Sequence, residues 1–468
     1  MENYERKIDT KLIMSIIATG IMAFTGVVIE TAMNVTFPTL MREFQINTST
    51  VQWLTTGYLL ILSVIIPASS YFKKNFTLKS LFITAEIFFT AGTILDAFAP
   101  SFFILLAGRI LQGFGAGIAL PLMFNIVLDQ VPLNHLGTMM GAATLIIAIS
   151  PAVGPSFGGF IINYWGWRMI FIALLPLLAA AFFVGVFSIR STANPVRTPF
   201  DWLGFLLLSI SFSCLIFAAG ASGNTGWNDP FILGAFFICI MTFIIFYKYA
   251  GKSAHPIFYP SVFHIRTFTL SVIVIGIVQF LCLGLGFLIP NYSQLVSGEK
   301  ALVAGLLLLP GCIIGAFITP LSGRIMDRIG ARKPIIIGNI CMIAATFLYS
   351  ILAQHLTTML FVLIYTIFTI GQGFSSGTSM TNGLRQLPAK LRADGNAVCT
   401  TFQQLSGAIG TAVVSALISA EQKRLPDQLP YATMLGSQNA LFLLFILACA
   451  ALICSVIIFR DIKKLQRS

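Results

Sequence analysis

The chain has 468 residues, of which 57% are hydrophobic and only 9% charged, and its formal net charge at pH 7 is +12. A soluble domain carries roughly a quarter charged residues, so this composition excludes an ordinary water-soluble protein. The basic residues are scattered over many short polar connections. This pattern does not suggest nucleic-acid binding and suits contact with anionic membrane lipid.

Long apolar stretches alternate with short polar connections along the whole chain. A helix that crosses a bilayer needs about 20 apolar residues, and the stretches lack the two-residue alternation of a membrane β-barrel. The pattern therefore predicts an all-α, polytopic membrane protein with about 14 transmembrane helices. In chain order the predicted spans are 12–37, 50–72, 78–98, 102–125, 136–163, 167–189, 202–220, 230–250, 266–291, 301–322, 334–353, 357–381, 395–418 and 437–460.

The distribution of basic residues predicts the orientation of these spans. With this assignment, 22 Lys and Arg residues lie on the side of the two termini and five lie on the other side. Because the cytoplasmic connections of membrane proteins carry an excess of positive charge, both termini are predicted to be cytoplasmic.

An internal repeat relates the two ends of the chain. The sequence Gln-Gly-Phe at 112–114 recurs at 372–374, and Ser-x-Ala-x-Gly at 150–154 recurs at 406–410. These offsets align spans one to six with spans nine to fourteen and leave spans seven and eight as an insertion. Repeated halves around a central site are typical of secondary transporters.

The repeat divides the chain into five parts. They are a cytoplasmic N-terminus (1–11), an N-terminal six-helix half (12–189), two inserted helices with cytoplasmic linkers (190–265), a C-terminal six-helix half (266–460) and a cytoplasmic tail (461–468). We expect a functional monomer.

Three ionisable residues stand out within the predicted spans: Glu30, Glu86 and Arg109. A charge at the centre of a bilayer costs on the order of 3 kcal/mol or more, so such residues are functional candidates. Glu30 and Asn34 are four residues apart and share one helical face. A carboxyl group there holds a proton when it is desolvated and releases it when water or a cation arrives. The alternative is a carboxylate bonded to its neighbours for helix packing alone.

Arg109 and Gln112 form a second polar face on the fourth span. The guanidinium is predicted to favour proton release from a nearby carboxylate, and the alternative is a structural tether to backbone carbonyl groups. In the repeat, Arg109 corresponds to Thr369 and Glu30 to Cys282. Since the charges occur in one half only, a proton-handling role in the first half is favoured.

The remaining polar candidates are less specific. Glu86 in the third span is either a further proton-coupling residue or a neutral packing residue. Asn34, Gln112, Gln279 and Gln372 are candidates for lining a substrate cavity.

Two glycine-rich segments are predicted to control packing and conformation. In the fifth span, Gly154-Pro155-x-x-Gly158-Gly159 is expected to let the helix bend and pack closely, since proline removes a backbone hydrogen bond and glycine permits close approach. The second segment, 323–333, is predicted to form a short cytoplasmic turn. It either latches neighbouring helices through ion pairs or is a solvated anchor, and its candidate residues are Gly323, Asp327, Arg328 and Gly330.

No residue pattern indicates catalysis or metal binding. The eight cysteines show no Cys-x-x-Cys spacing, so neither a zinc site nor a disulfide framework is supported. No Ser/His/Asp, metal or phosphate-binding constellation stands out, and the connections are short. We therefore expect no enzyme activity, no cofactor and no metal.

Five stretches spread over nearly the whole chain form one set of motifs: 30–38, 52–60, 109–113, 154–159 and 165–168. They resemble, in that order, the first-helix, second-helix, fourth-helix and fifth-helix motifs and the following turn of the major facilitator superfamily, specifically its fourteen-helix drug:proton antiporter branch. The first motif usually begins with Asp, and Glu30 keeps the acid. The fourth-helix motif is linked to proton transfer in that family, and the fifth-helix motif is its antiporter motif.

One stretch departs from the family pattern. The loop between helices two and three normally reads Gly-x-x-x-Asp-Arg-x-Gly-Arg-Arg, but at 70–79 this chain has Lys74 at the Asp position and Thr77 at the second Gly. The usual carboxylate latch is therefore absent from the first half, whereas Asp327 keeps it in the second.

The resemblance implies the major facilitator fold and a multidrug efflux transporter of a bacterial cell membrane, associated with antibiotic resistance. The implied function is proton-coupled antiport that exports amphipathic, cationic small molecules by alternating access, with Glu30 coupling proton and substrate and Arg109 tuning that exchange. The alternatives are an exporter of one specific metabolite, lipid precursor or peptide and, outside transport, a membrane-embedded enzyme or receptor.

Overall fold

The computed structural model of the protein describes residues 8–132, 136–190, 199–226, 228–253, 256, 257, 259–388 and 391–465. The predicted N-terminus and tail are therefore described in part only. The side chain of Lys74, which bears on the predicted loss of a latch in the first half, lies outside the described residues.

Fourteen helices of 20 residues or more make up most of the described chain. They are α1 (Thr10–Phe44), α2 (Trp53–Asn75), α3 (Leu78–Ala97), α4 (Phe102–Gln130), α5 (Leu136–Trp165), α6 (Arg168–Ser188), α7 (Trp202–Thr225), α8 (Pro230–Ala250), α9 (Arg266–Leu295), α10 (Leu309–Ile329), α11 (Arg332–Leu352), α12 (Thr358–Arg385), α13 (Arg392–Arg424) and α14 (Leu429–Leu465). Short helices, Thr48–Val51 and Ala301–Leu306, precede α2 and α10, and 3-10 turns at Pro260–His264 and Pro426–Gln428 precede α9 and α14. The predicted all-α polytopic fold is confirmed.

Thirteen of these helices are long and apolar enough to cross a membrane, judged on the described residues. The remaining long helix, α5, has 30 residues, which is sufficient length for a bilayer core. We define the terminal face as the end of the bundle that holds Thr10 of α1, and the opposite face as the end that holds Phe44 of α1 and Leu429 of α14.

Polar side chains cap several of these helices at their N-termini. Asp9 accepts a hydrogen bond from the Leu12 amide at 2.9 Å, and Thr77 accepts one from the Ser80 amide at 3.1 Å. Such caps satisfy backbone donors that a helix leaves free at its first turn. The Leu12 amide, together with the Arg190 guanidinium, holds the pKa of the Asp9 carboxyl below its usual value.

The predicted turn at 323–333 is wrong in one respect. The backbone remains helical through Gly323 and Asp327 to Ile329, and only Gly330, with φ +85°, ends α10. Charged side chains at a membrane edge reach water without interrupting the backbone ladder. The helix therefore continues beyond the last apolar residue, until a glycine in the left-handed region terminates it.

Each half of the chain packs its helices in the same way. Helix α1 contacts α4, α5 and α6, and α9 contacts α12, α13 and α14 in the corresponding manner. The pairs α2 with α4, α3 with α4 and α3 with α6 recur as α10 with α12, α11 with α12 and α11 with α14. The packing therefore repeats with an offset of eight helices, as the sequence repeat predicts; the residue bounds of the five parts stay a prediction.

The contacts between the halves follow the same symmetry. Helix α2 packs on α13 and α10 packs on α5, a pair of contacts that the repeat interchanges, while α1 packs on its own counterpart α9. The inserted α7 lies against α2 and α13, and α8 packs chiefly on α7 within the described part of the chain. Helices α1 and α9 thus meet near the axis between the halves.

Candidate functional site

Arg109 of α4 lies at the centre of a polar cluster inside the first half. Its side chain is completely buried; Nη1 donates to Oε1 of Gln112 at 2.5 Å and Nε donates to the carbonyl oxygen of Leu54 at 3.2 Å. The guanidinium carbon lies 4.2 Å from the ring centroid of Tyr58. In the described part of the chain Nη2 has no hydrogen-bond partner. Neutral groups therefore provide the direct contacts of this cation, and one nitrogen stays free.

Gln112 extends this cluster from α4 to α3. Its Nε2 donates to Oγ1 of Thr93 at 3.0 Å, and Thr93 donates in turn to the carbonyl oxygen of Phe89 at 2.8 Å. The amide thus binds the cation through its oxygen and the neighbouring helix through its nitrogen, which fixes the orientation of the Gln112 side chain.

Glu30 of α1 lies beside this cluster. It is 6% exposed and within electrostatic range of Arg109, Tyr58 and Cys282. Gly26, one turn earlier, packs against the Tyr58 hydroxyl. The structure therefore brings the predicted pair Glu30 and Arg109 together, within range of the residue that occupies the Glu30 position in the second half.

Asp96 is a fourth buried ionisable residue that is not among those predicted from the sequence, although it lies in the predicted span 78–98. Its side chain is completely buried, and among the described residues neither carboxyl oxygen has a hydrogen-bond partner. It packs against Gly108 of α4, next to Arg109 in sequence. One signal in the sequence could have identified it: Asp96 and Thr93 are three residues apart, which places both polar side chains on one face of α3.

Glu86 lies apart from these groups. It is 1% exposed, and its Oε1 accepts a hydrogen bond from Oγ1 of Thr90 at 3.5 Å, whereas its Oε2 has no partner in the described part of the chain. The side chain is thus turned into the protein, but no contact among the described residues joins it to Glu30 or Arg109. Its role stays a prediction.

The predicted cavity residues are distributed over both halves. Asn34 accepts a hydrogen bond from Oγ1 of Thr55 at 3.2 Å and faces Gly286 of α9. In the second half, Gln372 donates to Sγ of Cys282 at 3.0 Å. Since Gln372 and Cys282 correspond by the repeat to Gln112 and Glu30, both halves place a polar pair at the same positions, but only the first half supplies a charge.

A second polar pair of the C-terminal half joins α9 to α13. Gln279 accepts a hydrogen bond from Nε2 of Gln403 at 3.2 Å, and both side chains are partly exposed. The predicted assignment of Gln279 to the cavity is not tested by this contact.

The glycine motif of α5 packs against two neighbours. Gly154 contacts Oγ1 of Thr31, and Gly158 lies against Ala32, both on α1. A Cβ atom added to Gly159 would lie 2.5 Å from the carbonyl oxygen of Ala301, which belongs to the other half. Close approach of α5 to both partners therefore requires glycine at these positions.

Pro155 extends this contact between the halves. Its carbonyl oxygen lies where a Cβ atom on Gly305 would fall, so Gly305 is the matching small residue on the other side. The two backbones meet near the opposite face, where α5 ends and where the short helix Ala301–Leu306 precedes α10.

Hydrogen bonds also join the halves at the opposite face. They run from Thr48 to Gln422 (2.8 Å), from Gln52 to Thr411 (3.0 Å), from Gln294 to the Val35 carbonyl (3.0 Å) and from Ser415 to the Thr48 carbonyl (3.2 Å). The two halves are therefore held together at the opposite face in this conformation.

The charged end of α10 makes an ion pair at the terminal face. Asp327 lies 3.1 Å from the guanidinium of Arg385 at the end of α12, and both side chains are more than half exposed. Arg328 and Gly330 are exposed beside it. This pair links two helices of the same half, as a latch would.

No metal centre is formed by the described residues: no group of three or more His, Cys, Asp or Glu side chains is arranged to hold an ion. The site is instead a set of buried acids and one guanidinium inside the first of two repeated six-helix units, with Glu30 within electrostatic range of Cys282 in the second. Such an arrangement within a helical membrane protein is typical of a secondary transporter.

The chain belongs to the Major Facilitator Superfamily, whose sequence model matches residues 19–411. It is therefore a multi-pass membrane transporter, and the predicted family is confirmed.

Several relatives are drug-resistance proteins. The chain is 35% identical to the lincomycin resistance protein LmrB of Listeria monocytogenes over 452 residues, which are 95% of this chain and 96% of that protein. It is 34% identical to the protein of the same name of Bacillus subtilis, with 95% of each chain covered. It is also 27% identical to the multidrug resistance protein B homolog of Mycobacterium tuberculosis, with 89% and 78% covered.

Solved structures with the same fold include distant transporters. A bacterial homologue of the human lysosomal transporter Spinster aligns with a TM-score of 0.69 at 16% identity, covering 98% of this chain and 99% of that one. An auto-inhibited peptide transporter of the POT family also gives a TM-score of 0.69, at 14% identity, with 97% of each chain covered. At this identity the similarity concerns the fold alone.

Proposed function

We propose that the protein is a proton-coupled antiporter that exports amphipathic, cationic small molecules, drugs among them, by alternating access. The observation that carries the proposal is the burial of Glu30 and Arg109 together in the first half, while the repeat places the uncharged Cys282 and Thr369 at the matching positions of the second. Charges that only packed the helices would not need to be confined to one half.

The names of the relatives suggest the first substrates to test. Proteins related over nearly the whole length of this chain carry names that refer to lincomycin resistance and multidrug resistance. Lincomycin is therefore the first compound to test, followed by amphipathic cations such as ethidium.

In the proposed cycle, Glu30 alternates between a proton and a cationic substrate. A buried carboxylate without a counter-charge is costly, so Glu30 is held either as the protonated acid or beside a cation. Arg109, held by Gln112 and Tyr58, biases that exchange by its positive charge. The membrane potential supplies about 2.3 kcal/mol per charge per 100 mV, so one or two protons would drive substantial export.

The other candidate residues have supporting roles in this proposal. Asn34, Gln112, Gln279 and Gln372 offer hydrogen bonds to substrate from both halves, and Glu86 is a further acid whose coupling role remains a proposal. The glycine motif of α5 sets the packing of the closed conformation. We place both termini in the cytoplasm of a bacterial cell, surrounded by lipid, and propose that the monomer is the functional unit.

The decisive experiment compares Glu30→Gln with wild type in proteoliposomes. A pH gradient should drive lincomycin or ethidium transport by the wild type, and the variant should lose it because its amide cannot bind a proton. Glu299→Gln, which makes the same change on a partly exposed side chain, is the control and should transport normally.

Three outcomes would contradict the proposal or narrow it. Undiminished proton-driven transport by the Glu30→Gln variant, at equal expression, would remove Glu30 from the mechanism. Transport by the wild type without any dependence on a pH gradient would exclude proton coupling. Transport of one metabolite only, from a broad panel, would favour the specific exporter instead.

A further inference from the structure

Asp96 has no described partner that explains its burial. Both carboxyl oxygens are inaccessible and without a hydrogen bond among the described residues, although a carboxyl group that serves packing normally satisfies its polar atoms. Its Oδ1 occupies the space that a Cβ atom would need at position 108. Glycine at 108 thus permits the carboxyl group to lie directly against the backbone of α4.

Asp96 lies nearer the opposite face than Glu30. Asp96 is the penultimate residue of α3, which ends at that face. Arg109 lies seven residues after the first residue of α4, roughly 10 Å along that helix, and Glu30 lies 14 residues before the end of α1, roughly 20 Å along it. Since the Asp96 carboxyl group lies against Gly108, next to Arg109 in sequence, Asp96 is the acid nearer the opposite face and Glu30 is the deeper one.

The charges of this cluster balance only if the two acids share a proton. Arg109 is within electrostatic range of both Asp96 and Glu30, and all three side chains are buried. One ionised carboxyl group neutralises the guanidinium. A second would leave a net negative charge in a low-dielectric interior, which is strongly unfavourable.

Arg109 has a free nitrogen to offer to either acid. A guanidinium carries five N–H donors, and those assigned in the structure go to the Leu54 carbonyl and the Gln112 amide from Nε and Nη1. Nη2 is buried and without a partner among the described residues. This nitrogen is therefore the one donor of Arg109 that the Leu54 and Gln112 contacts leave available to an ionised carboxylate.

Other charged or titratable groups near Asp96 are already paired or screened. From α6, Arg168 donates to the Ala99 carbonyl at 2.8 Å, and its charge pairs with Glu43 at 2.8 Å. From α2, Tyr58 lies against Arg109. The only charged side chain that acts on Asp96 among the described residues is thus Arg109.

We propose that Asp96 is a second proton-binding residue, and that it exchanges one proton with Glu30 under the control of Arg109. In the balanced step the Asp96 carboxylic acid gives up its proton and becomes a carboxylate, while the Glu30 carboxylate accepts that proton and becomes the acid. The net charge of the cluster does not change, and the positive charge of Arg109 stabilises whichever of the two acids is ionised. This inference rests on the proposed proton coupling and adds a proton-binding position toward the opposite face.

The test separates proton coupling from substrate passage. In proteoliposomes with lincomycin, and ethidium as a second probe, Asp96→Asn should keep substrate counterflow but lose transport driven by a pH gradient by about tenfold or more. Asp96→Glu should restore part of the driven rate, since it restores the acid. The exposed Asp427→Asn is the matched control and should retain both activities.

Each contrary outcome has a distinct meaning. If Asp96→Asn keeps the driven rate, Asp96 binds no coupling proton. If Asp96→Asn and Asp96→Glu both lose counterflow as well, the residue serves packing instead. If the wild type shows no driven transport, the proposed function fails and this inference with it.

A second measurement does not need a substrate. Infrared difference spectra between two pH values should show the carbonyl stretch of a protonated carboxyl group in the wild type. This band should change in both Asp96→Asn and Glu30→Gln, because the two acids share the proton. A band that is the same in Asp96→Asn as in the wild type would overturn the proposal.

Discussion

The guanidinium carbon of Arg109 lies 4.2 Å from the ring centroid of Tyr58, within the fully buried interior of the first half. A cation over an aromatic face is stabilised by the quadrupole of the ring, by about 2 kcal/mol or more where water is excluded. Together with the Leu54 carbonyl and the Gln112 amide, the ring lets the protein keep a charge in the membrane without a permanent ion pair. The charge therefore stays available to an acid that changes its protonation.

This arrangement predicts different results for two conservative substitutions. Arg109→Lys should lower proton-driven transport by about tenfold or more, because a lysine lacks the planar fork that reaches Leu54 and Gln112 together. Tyr58→Phe should have little effect, because it keeps the ring beneath the cation. Transport by Arg109→Lys equal to that of Tyr58→Phe would show that charge alone suffices.

The sequence was sufficient to single out Glu30 and Arg109 as ionisable residues within the spans. It was insufficient to predict the residues that surround them. Charges within apolar spans are rare, and comparison of the two halves showed that these two have no charged counterparts. The ring of Tyr58 and the carbonyl of Leu54 lie some 50 residues away from Arg109 along the chain. Their contact depends on how α2 crosses α4, which the local pattern does not determine.

Asp96 and the end of α10 show a different limit. A carboxyl group one residue from the end of α3 is compatible with exposure to water, and only the packing of α3 on Gly108 buries it. Hydropathy marks only the apolar part of a helix, so the extension of α10 to Ile329 was missed. The helix itself ends at the first residue that interrupts its backbone hydrogen bonds, here Gly330. Helix type and order follow from pattern; burial and exact ends follow from packing.

Two glycines related by the repeat should respond oppositely to alanine. A Cβ atom on Gly117 would lie 2.8 Å from Cβ of Ile65, whereas nothing lies within 4 Å of one on Gly377. Gly117→Ala should destabilise the protein by about 1–3 kcal/mol through overpacking of α4 on α2. Gly377→Ala should be neutral or stabilising, since alanine favours a helix by about 1 kcal/mol. Thermal unfolding in detergent measures both, and equal melting temperatures would contradict the predicted asymmetry of the halves.

The ion pair of Asp327 and Arg385 should matter more for the transport rate than for stability. Both side chains are more than half exposed, and exposed pairs contribute about 0–1 kcal/mol. Asp327→Asn should therefore change the melting temperature little but alter the rate of substrate counterflow, if the latch breaks in each cycle. Exchange of the two charges, Asp327→Arg with Arg385→Asp, should restore the rate. Unchanged counterflow in the single variant would make the pair a surface contact without a role in the cycle.

Closure at the opposite face should depend on Gly159 and Gly305. A Cβ atom on Gly159 would lie 2.5 Å from the Ala301 carbonyl, and one on Gly305 would overlap the Pro155 carbonyl. Backbone atoms cannot move aside as the end of a side chain can. Alanine at either position should therefore separate α5 from the short helix Ala301–Leu306 and favour a conformation open at this face.

The measurement is the labelling rate of a cysteine introduced at Gln294, which bonds to the Val35 carbonyl in the closed state. Either alanine variant should label faster than the wild-type background. Gly323→Ala, where nothing lies within 4 Å, is the control, and equal labelling in all three variants would show that these glycines do not hold the face closed.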